Sequence, residues 1–207
     1  MILAVDTSLG TAVSLIDADG TLRSQASASD PLGHAEVIGD LLVRTLDGAD
    51  GGQISHIVAG MGPGPFTGLR IGIAAARAFA LGRGIPVVPV PSHYAAALTA
   101  MESDSVAGAF AIATDARRRE VAVTVFDGTD ADGIPVVVAE TVLVPRADVE
   151  ARLDGIRRID VETLSATDLA RVGARALAAG RVLADAEPLY LRQPDVSVPG
   201  APKKVGL

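Results

Sequence analysis

A chain of 207 residues can bury one large core or two smaller ones, and 49% hydrophobic residues with 3% aromatics mean that Ala, Val, Leu and Ile build it. The absence of cysteine excludes disulfides, thiolate metal sites and a cysteine nucleophile, and the net charge of −7 argues against a direct grip on nucleic acid. The lysines are Lys203 and Lys204 alone, so the body has none to cradle a phosphate, and His34, His56 and His93 are too dispersed to predict a metal site.

Met1 leads straight into a strand over Ile2 to Val5, without a charged and apolar leader, and a cytoplasmic protein is expected. Thr11 to Ile16 and Thr21 to Ala28 read as two more strands, joined by turns at Asp6 to Gly10 and Asp17 to Gly20. Ala35 to Asp47 is helical: Val37, Ile38, Leu41, Leu42 and Leu46 share one face, and Glu36, Asp40 and Arg44 follow the other at fourfold spacing. A strand over Ile54 to Gly60 then runs into Gly62-Pro63-Gly64-Pro65-Phe66-Thr67-Gly68-Leu69-Arg70, from which a helix is predicted with Thr67 as N-cap and an end near Gly84. Val87 to Val90 reads as a short buried strand, and Ser92 as the cap of a helix to about Met101, followed by a polar break at residues 102–105.

The second half repeats the first. Ala107 to Thr114, Glu120 to Asp127 and Val136 to Val144 again give three strands, with Asp115-Ala116-Arg117 answering Asp6-Thr7-Ser8 and Asp127 to Gly133 answering Asp17 to Gly20. A helix from Pro145 to about Leu153, a strand over Ile156 to Val161 and a helix over Ala166 to Ala179 complete the pattern, and the tail from Asp195 is expected to be mobile. Duplicated meanders followed by helices and further strands predict an α/β fold of two lobes facing a cleft, as in the actin, Hsp70 and sugar-kinase superfamily, with residues 1–104 in the first lobe and 105–207 in the second.

In such an architecture each lobe's first hairpin offers a turn to a nucleotide phosphate. Asp6, Thr7, Gly62, Gly64 and Thr67 are the nucleotide-proximal candidates, because backbone N–H groups freed at a helix start attract anions. The second-half turn has Arg117, Arg118 and Arg119 where a phosphate turn needs glycine, so half of an ATP clamp is missing. The loop is neither a phosphate loop, since no Lys-Ser/Thr follows it, nor a dinucleotide fingerprint, since the next strand ends without an acid. Thr67 as a nucleophile lacks an identifiable base. From Leu69 to Leu81 the charged side chains are Arg70 and Arg77, seven apart on one face, so this helix is expected to be buried nearly all round by its own lobe or by another protein. With the apolar face of the preceding helix it would make a patch large enough for an interface, and the candidate interface residues are His34, Ile38, Leu41, Leu42, Ile71, Gly72, Ala75 and Phe79.

The opening Ile2-Leu3-Ala4-Val5-Asp6-Thr7-Ser8, the loop Gly62 to Arg70 continuing Ile71-Gly72-Ile73-Ala74, Thr114-Asp115-Ala116-Arg117 with Glu120-Val121, and Ala186-Glu187-Pro188-Leu189-Tyr190-Leu191-Arg192 together resemble the TsaB (YeaZ) family. The resemblance implies an actin-like, non-catalytic subunit needed to make threonylcarbamoyladenosine on tRNA, paired with a TsaD-like catalytic subunit and joined by a TsaE-like ATPase. It implies pairing, with TsaD or as a homodimer, through the two first-lobe helices, contact with tRNA only through the assembly, no tightly bound cofactor, and ATP or ADP only at the assembled complex. Arg118 and Arg119 stand where the family often carries an acidic or small residue, which makes a second phosphate site less usable here. The competing readings are an ATP-dependent transferase or kinase using Asp6, Thr7 and the glycine loop, and, more weakly, a glycoprotease-like peptidase, for which no nucleophile elbow stands in the sequence.

Overall fold

The structure is a computed structural model that describes residues 1–30, 33–103 and 106–192. The tail expected to be mobile from Asp195 lies outside the described residues. The first half contains β1 (Ile2–Asp6), β2 (Thr11–Ile16), β3 (Leu22–Ala28), α1 (His34–Leu46), β4 (His56–Gly60), α2 (Phe66–Arg83), β5 (Val87–Val90) and α3 (Ser92–Ser103). The second contains β6 (Phe110–Asp115), β7 (Glu120–Thr129), β8 (Pro135–Pro145), α4 (Val149–Leu153), β9 (Arg157–Asp160) and α5 (Ala166–Ala178).

The internal repeat is real at the level of topology. The first sheet has strand order β3-β2-β1-β4-β5 and the second β8-β7-β6-β9, so each half is an antiparallel meander whose first strand also pairs in parallel with the strand that follows a helix. This is the two-lobed, actin-like α/β arrangement expected from the sequence. β7 runs two residues beyond the predicted Asp127, and the turn answering Asp17 to Gly20 is made by Asp130 to Gly133, where Asp130 Oδ1 accepts from the amides of Asp132 and Ile134.

Strand alternation explains what each face of the first sheet buries. Leu3, Val5, Val13 and Leu15 point to the face covered by α1 and α2, whereas Ile2, Ala4 and Ile16 point to the face covered by α3 and α5. The first sheet is built within residues 2–90 and the second within residues 110–160, and α5 lies on the first sheet although it follows the second. Its Gly173 permits the approach: a Cβ there would collide with the Val58 side chain of β4. A boundary at 104 would strip that apolar cover from Ile2, Ala4 and Val58. The second sheet is covered by α4 over Ala111, Ala113, Val121 and Val123, and by α3 over Phe110, Ile112 and Phe126. α3 thus serves both lobes, and its alanines Ala95, Ala96, Ala97 and Ala100 keep it thin enough to do so.

α1 and α2 lie side by side on the outer face of the first sheet. The structure corrects one expectation about α2 and narrows another. Thr67 does not cap it: the helix begins at Phe66, Pro65 occupies the N-cap with φ −60° and ψ 133°, and no side chain caps the end. Proline suits this place because it fixes φ before the first turn and has no N–H to satisfy. Nor is α2 buried by its own lobe all round, since Leu69, Gly72, Ile73, Ala76 and Ala80 face the sheet while Arg70, Ala74, Arg77, Ala78 and Leu81 face out. Gly84, at φ +63°, ends it as predicted, in a left-handed conformation that glycine adopts without cost.

Candidate functional site

Alternation along β1 places Asp6 on the α3 side of the sheet, at the start of that helix. Asp6 is 2% exposed there. Its Oδ2 accepts from the Ser92 hydroxyl at 2.5 Å and its Oδ1 from the Ser8 amide at 2.7 Å, while Ser92 Oγ also meets Ser8 Oγ at 2.8 Å and accepts from the Gly62 amide at 3.1 Å. Ser92, expected as a helix cap, spends its hydroxyl on the first hairpin turn instead. Burial pushes the Asp6 carboxyl above the usual carboxylate range, against the hydrogen bonds from Ser92 and Ser8, which act downwards.

The glycine loop lies directly on this turn. Gly62 has φ +94°, reserved for glycine among L residues, and Gly64 sits against Ser8 so closely that a Cβ would come 2.8 Å from the Ser8 Cα. Gly60 and Gly72 are equally constrained, because a Cβ on either would collide with the Asp6 carboxylate or the Thr7 side chain. Thr7, itself 1% exposed, donates its hydroxyl to the Gly68 carbonyl at 2.7 Å. Of the nucleotide-proximal candidates, Asp6, Thr7 and Gly62 are thus enclosed, Gly64 is half-buried, and Thr67 is exposed.

Beyond the sealed turn lies an open cleft of about 590 Å³ between the lobes. The glycine loop, the start of α2 and His34 line one side; Thr114 to Arg118 line the other; Leu189 to Arg192 close an end. In the β6–β7 turn Arg117, Arg118 and Arg119 all take left-handed φ values of 60°, 52° and 61°. Such a conformation costs an L residue about 1–2 kcal/mol, so the turn is strained where glycine would not be. Asp115 is exposed and paired with Arg146 at 2.6 Å.

A strap over residues 186–192 joins the two sides, which gives the fourth sequence motif a structural role. The Leu189 amide donates to the Met61 carbonyl at 2.8 Å, Arg77 donates to the Ala186 carbonyl, and Arg70 Nε donates to the Tyr190 hydroxyl at 2.9 Å. The Arg70 guanidinium lies 3.7 Å over the Phe66 ring, and the Phe66 and Tyr190 centroids are 4.9 Å apart. Arg192 then pairs with Glu120 of β7. The two arginines predicted to share one face of α2 both hold this strap.

The interface candidates divide by burial. His34, Ile38, Leu41 and Gly72 are buried in the first lobe, and Leu42, Ile71, Ala75 and Phe79 are half-buried against its core. The apolar periodicity of α1 marked the face turned to its own sheet. The side chains left outside are Val43, 62% exposed, and Leu81, 86% exposed, with Ala74 and Ala78 between them in the chain. Their sequence signal was being apolar out of phase with the inward stripe. His34 instead lines the cleft, its Nδ1 held by Thr11 Oγ1 at 2.8 Å.

Among the described residues no helix is long and apolar enough to cross a membrane, and no cluster of three or more His, Asp or Glu could hold a metal ion.

Residues 31–141, more than half of the chain, match the family described as TsaD, tRNA N6-adenosine threonylcarbamoyltransferase. An uncharacterized Mycobacterium tuberculosis protein is 38% identical over 127 residues, covering 58% of this chain and 56% of that protein. The tRNA threonylcarbamoyladenosine biosynthesis protein TsaB of Escherichia coli is 33% identical over 122 residues, covering 58% and 52%. The chain spans about half the length of the curated relatives it matches. A crystal structure from Pseudomonas aeruginosa, of an uncharacterized protein with similarity to peptidase YeaZ, superposes with a TM-score of 0.76 at 25% identity, covering 92% of this chain and 99% of that one.

Proposed function

We propose, from the premise that the chain belongs to the tRNA N6-adenosine threonylcarbamoyltransferase (TsaD) family and to its TsaB (YeaZ) branch, that it serves as a non-catalytic partner of a TsaD-like enzyme. The process is the formation of threonylcarbamoyladenosine on tRNA. One observation carries the non-catalytic half of the reading: Asp6, the acid an actin-like site would use to organise a metal, is buried with both oxygens engaged and roofed by the glycine loop. Presenting it to a ligand would break the bonds to Ser92 and Ser8 and leave buried polar groups unpaired, at about 1–3 kcal/mol each.

The partner half rests on the outer faces of α1 and α2. Leu81 and Val43 stand in water, and Ala74 and Ala78 leave room for another helix to approach closely. A TsaD-like catalytic subunit covers this face, a second copy of the chain covers it when that subunit is missing, and a TsaE-like ATPase joins the assembly. ATP or ADP enters only at the assembled complex. The chain's net charge of −7 leaves tRNA contact chiefly to its partners.

The test is co-purification of the chain with the TsaD-like subunit of its own organism. Leu81→Glu and Ala78→Glu change exposed positions, so complex formation should be lost while the thermal melt of the free chain is kept. A complex that survives both changes removes this interface. The rival ATP-dependent transferase reading requires Mg-ATP binding by the isolated chain, abolished by Asp6→Ala, and calorimetry decides it.

A further inference from the structure

We infer that arginines on and just beyond α5 form a latch that ties the two lobes together behind the cleft and holds them at one angle. This reading does not depend on the partner role. The latch closes on a repeated motif: Asp17-Ala18-Asp19-Gly20 after β2 and Asp130-Ala131-Asp132-Gly133 after β7 are the same four residues and form the same turn. The Gly20 amide donates to the Asp17 carbonyl at 3.1 Å and the Gly133 amide to the Asp130 carbonyl at 3.0 Å, with φ +89° and +74° at the two glycines. Each glycine carbonyl then accepts from an arginine of α5. Arg171 Nε donates to Gly20 at 3.2 Å, and Arg175 Nη1 donates to Gly133 at 2.7 Å. Four residues apart, the two arginines are neighbours on one face of the helix.

The twin contacts differ in what they join. The apolar face of α5 packs on the first sheet, so Arg171 stays within one lobe while Arg175 crosses to the other. Arg181 adds to the crossing by pairing with Asp130 and, at 3.5 Å, with Asp132. Glu102, at the end of α3, keeps the two α5 guanidiniums side by side, 3.3 Å from Arg171 and 3.6 Å from Arg175, where their like charges would otherwise repel. Asp168 holds Arg171 at 2.9 Å and itself accepts from Thr99 of α3 at 2.6 Å. Both repeated turns lie at the strand ends remote from the cleft, whereas Arg192 ties the strap to Glu120 at the cleft end of β7. The ten residues of β7 separate these two ties by about 30 Å. A rotation of the second lobe must therefore displace at least one of them unless its axis passes through both. The latch is polar and its three arginine side chains are 31–42% exposed, so it can be cut without opening the core of either lobe.

The experiment measures the distance between the lobes in the full chain. The sequence has no cysteine, so Asp40→Cys on α1 and Arg152→Cys on α4, both exposed, carry a unique pair of spin labels. Double electron–electron resonance should give one narrow distance distribution in this background. Adding Arg175→Ala and Arg181→Ala should broaden or displace it, while hydrogen exchange in β1, β6 and β7 stays as in the parent, since each lobe keeps its own core. A distribution that superimposes on the parent's overturns the latch. Broadening accompanied by faster exchange in β6 and β7 also overturns it, because the second lobe would then be loosened internally and not released as a body. If the double variant does not fold, Arg175→Ala alone, which leaves the Arg181 pair in place, is read in the same way.

Discussion

Gly64 of the glycine loop rests on the backbone of Ser8 in the first hairpin turn, so that a Cβ on Gly64 would stand 2.8 Å from the Ser8 Cα. The neighbour is main chain, which cannot swing aside as a flexible side chain would. The φ of Gly64 is not positive, so steric contact alone forbids a larger residue. Gly64→Ala should therefore destabilise the chain by about 1–3 kcal/mol, the usual cost of overpacking. Urea denaturation measures it, and a change within a few tenths of a kcal/mol would mean that the loop floats above the turn.

Asp6→Asn separates a structural acid from a metal-organising one. Because burial raises the Asp6 carboxyl in the folded chain above its ordinary value of 3.8, its favourable contribution is fully present below that pH and is lost as pH rises through the folded-state value. Asparagine has no charge to bury, and its carbonyl accepts from the Ser8 amide while its amide donates to Ser92. Asp6→Asn should thus match or exceed the parent in stability at neutral pH, and partner binding should persist. Asp6→Ala, which strands Ser92 and the Ser8 amide, should lose about 1–3 kcal/mol. Equal losses in the two variants would show that the charge itself stabilises the turn.

How far the sequence discloses this molecule depends on whether a residue's environment is set by neighbours in the chain or across space. The meanders, the α2 end at Gly84 and the repeat of topology follow from local period and turn chemistry. The seal over Asp6 does not, because Ser92 and Gly62 reach it from distant elements, and only alternation along β1 hints at the side on which it lies. The outer face of α2 was obscured by composition: alanine and glycine serve a buried helix and an interface equally. Ile38 and Leu41 are buried in their own lobe, while Val43 and Leu81, out of phase with that stripe, are exposed. The return of α5 to the first sheet is a property of topology that no local pattern encodes.

His93 pins α3 to the second lobe and supplies a pH dependence of known sign. Its ring is fully enclosed, with Nδ1 2.7 Å from Thr124 Oγ1 and Nε2 3.0 Å from Thr114 Oγ1, and burial lowers its pKa from 6.5 to about 3. The folded chain keeps it neutral while the unfolded chain protonates it. Its contribution is present above 6.5 and is lost as pH falls from there towards 3, with a slope approaching about 1.4 kcal/mol per pH unit. Urea midpoints across that interval should fall more steeply in the parent than in His93→Gln, which hydrogen-bonds without titrating. Parallel slopes would place the acid sensitivity elsewhere.

Arg70 and Tyr190 tie the strap to α2 through a 2.9 Å hydrogen bond and a guanidinium that also covers Phe66 at 3.7 Å. The cluster is exposed, so its energy is modest, and a double-mutant cycle of Arg70→Ala with Tyr190→Ala should return a coupling of about 0.5–1 kcal/mol. Its mechanical effect should be larger than its energy, because the Leu189 amide is bonded to the Met61 carbonyl only while the strap lies down. Hydrogen exchange at Leu189 should accelerate in Arg70→Ala, while exchange in the core strand β1 stays as in the parent, since local opening does not require global unfolding. If Leu189 and β1 exchange together in both proteins, the strap opens only with the whole fold, and Arg70 and Tyr190 are not what holds it.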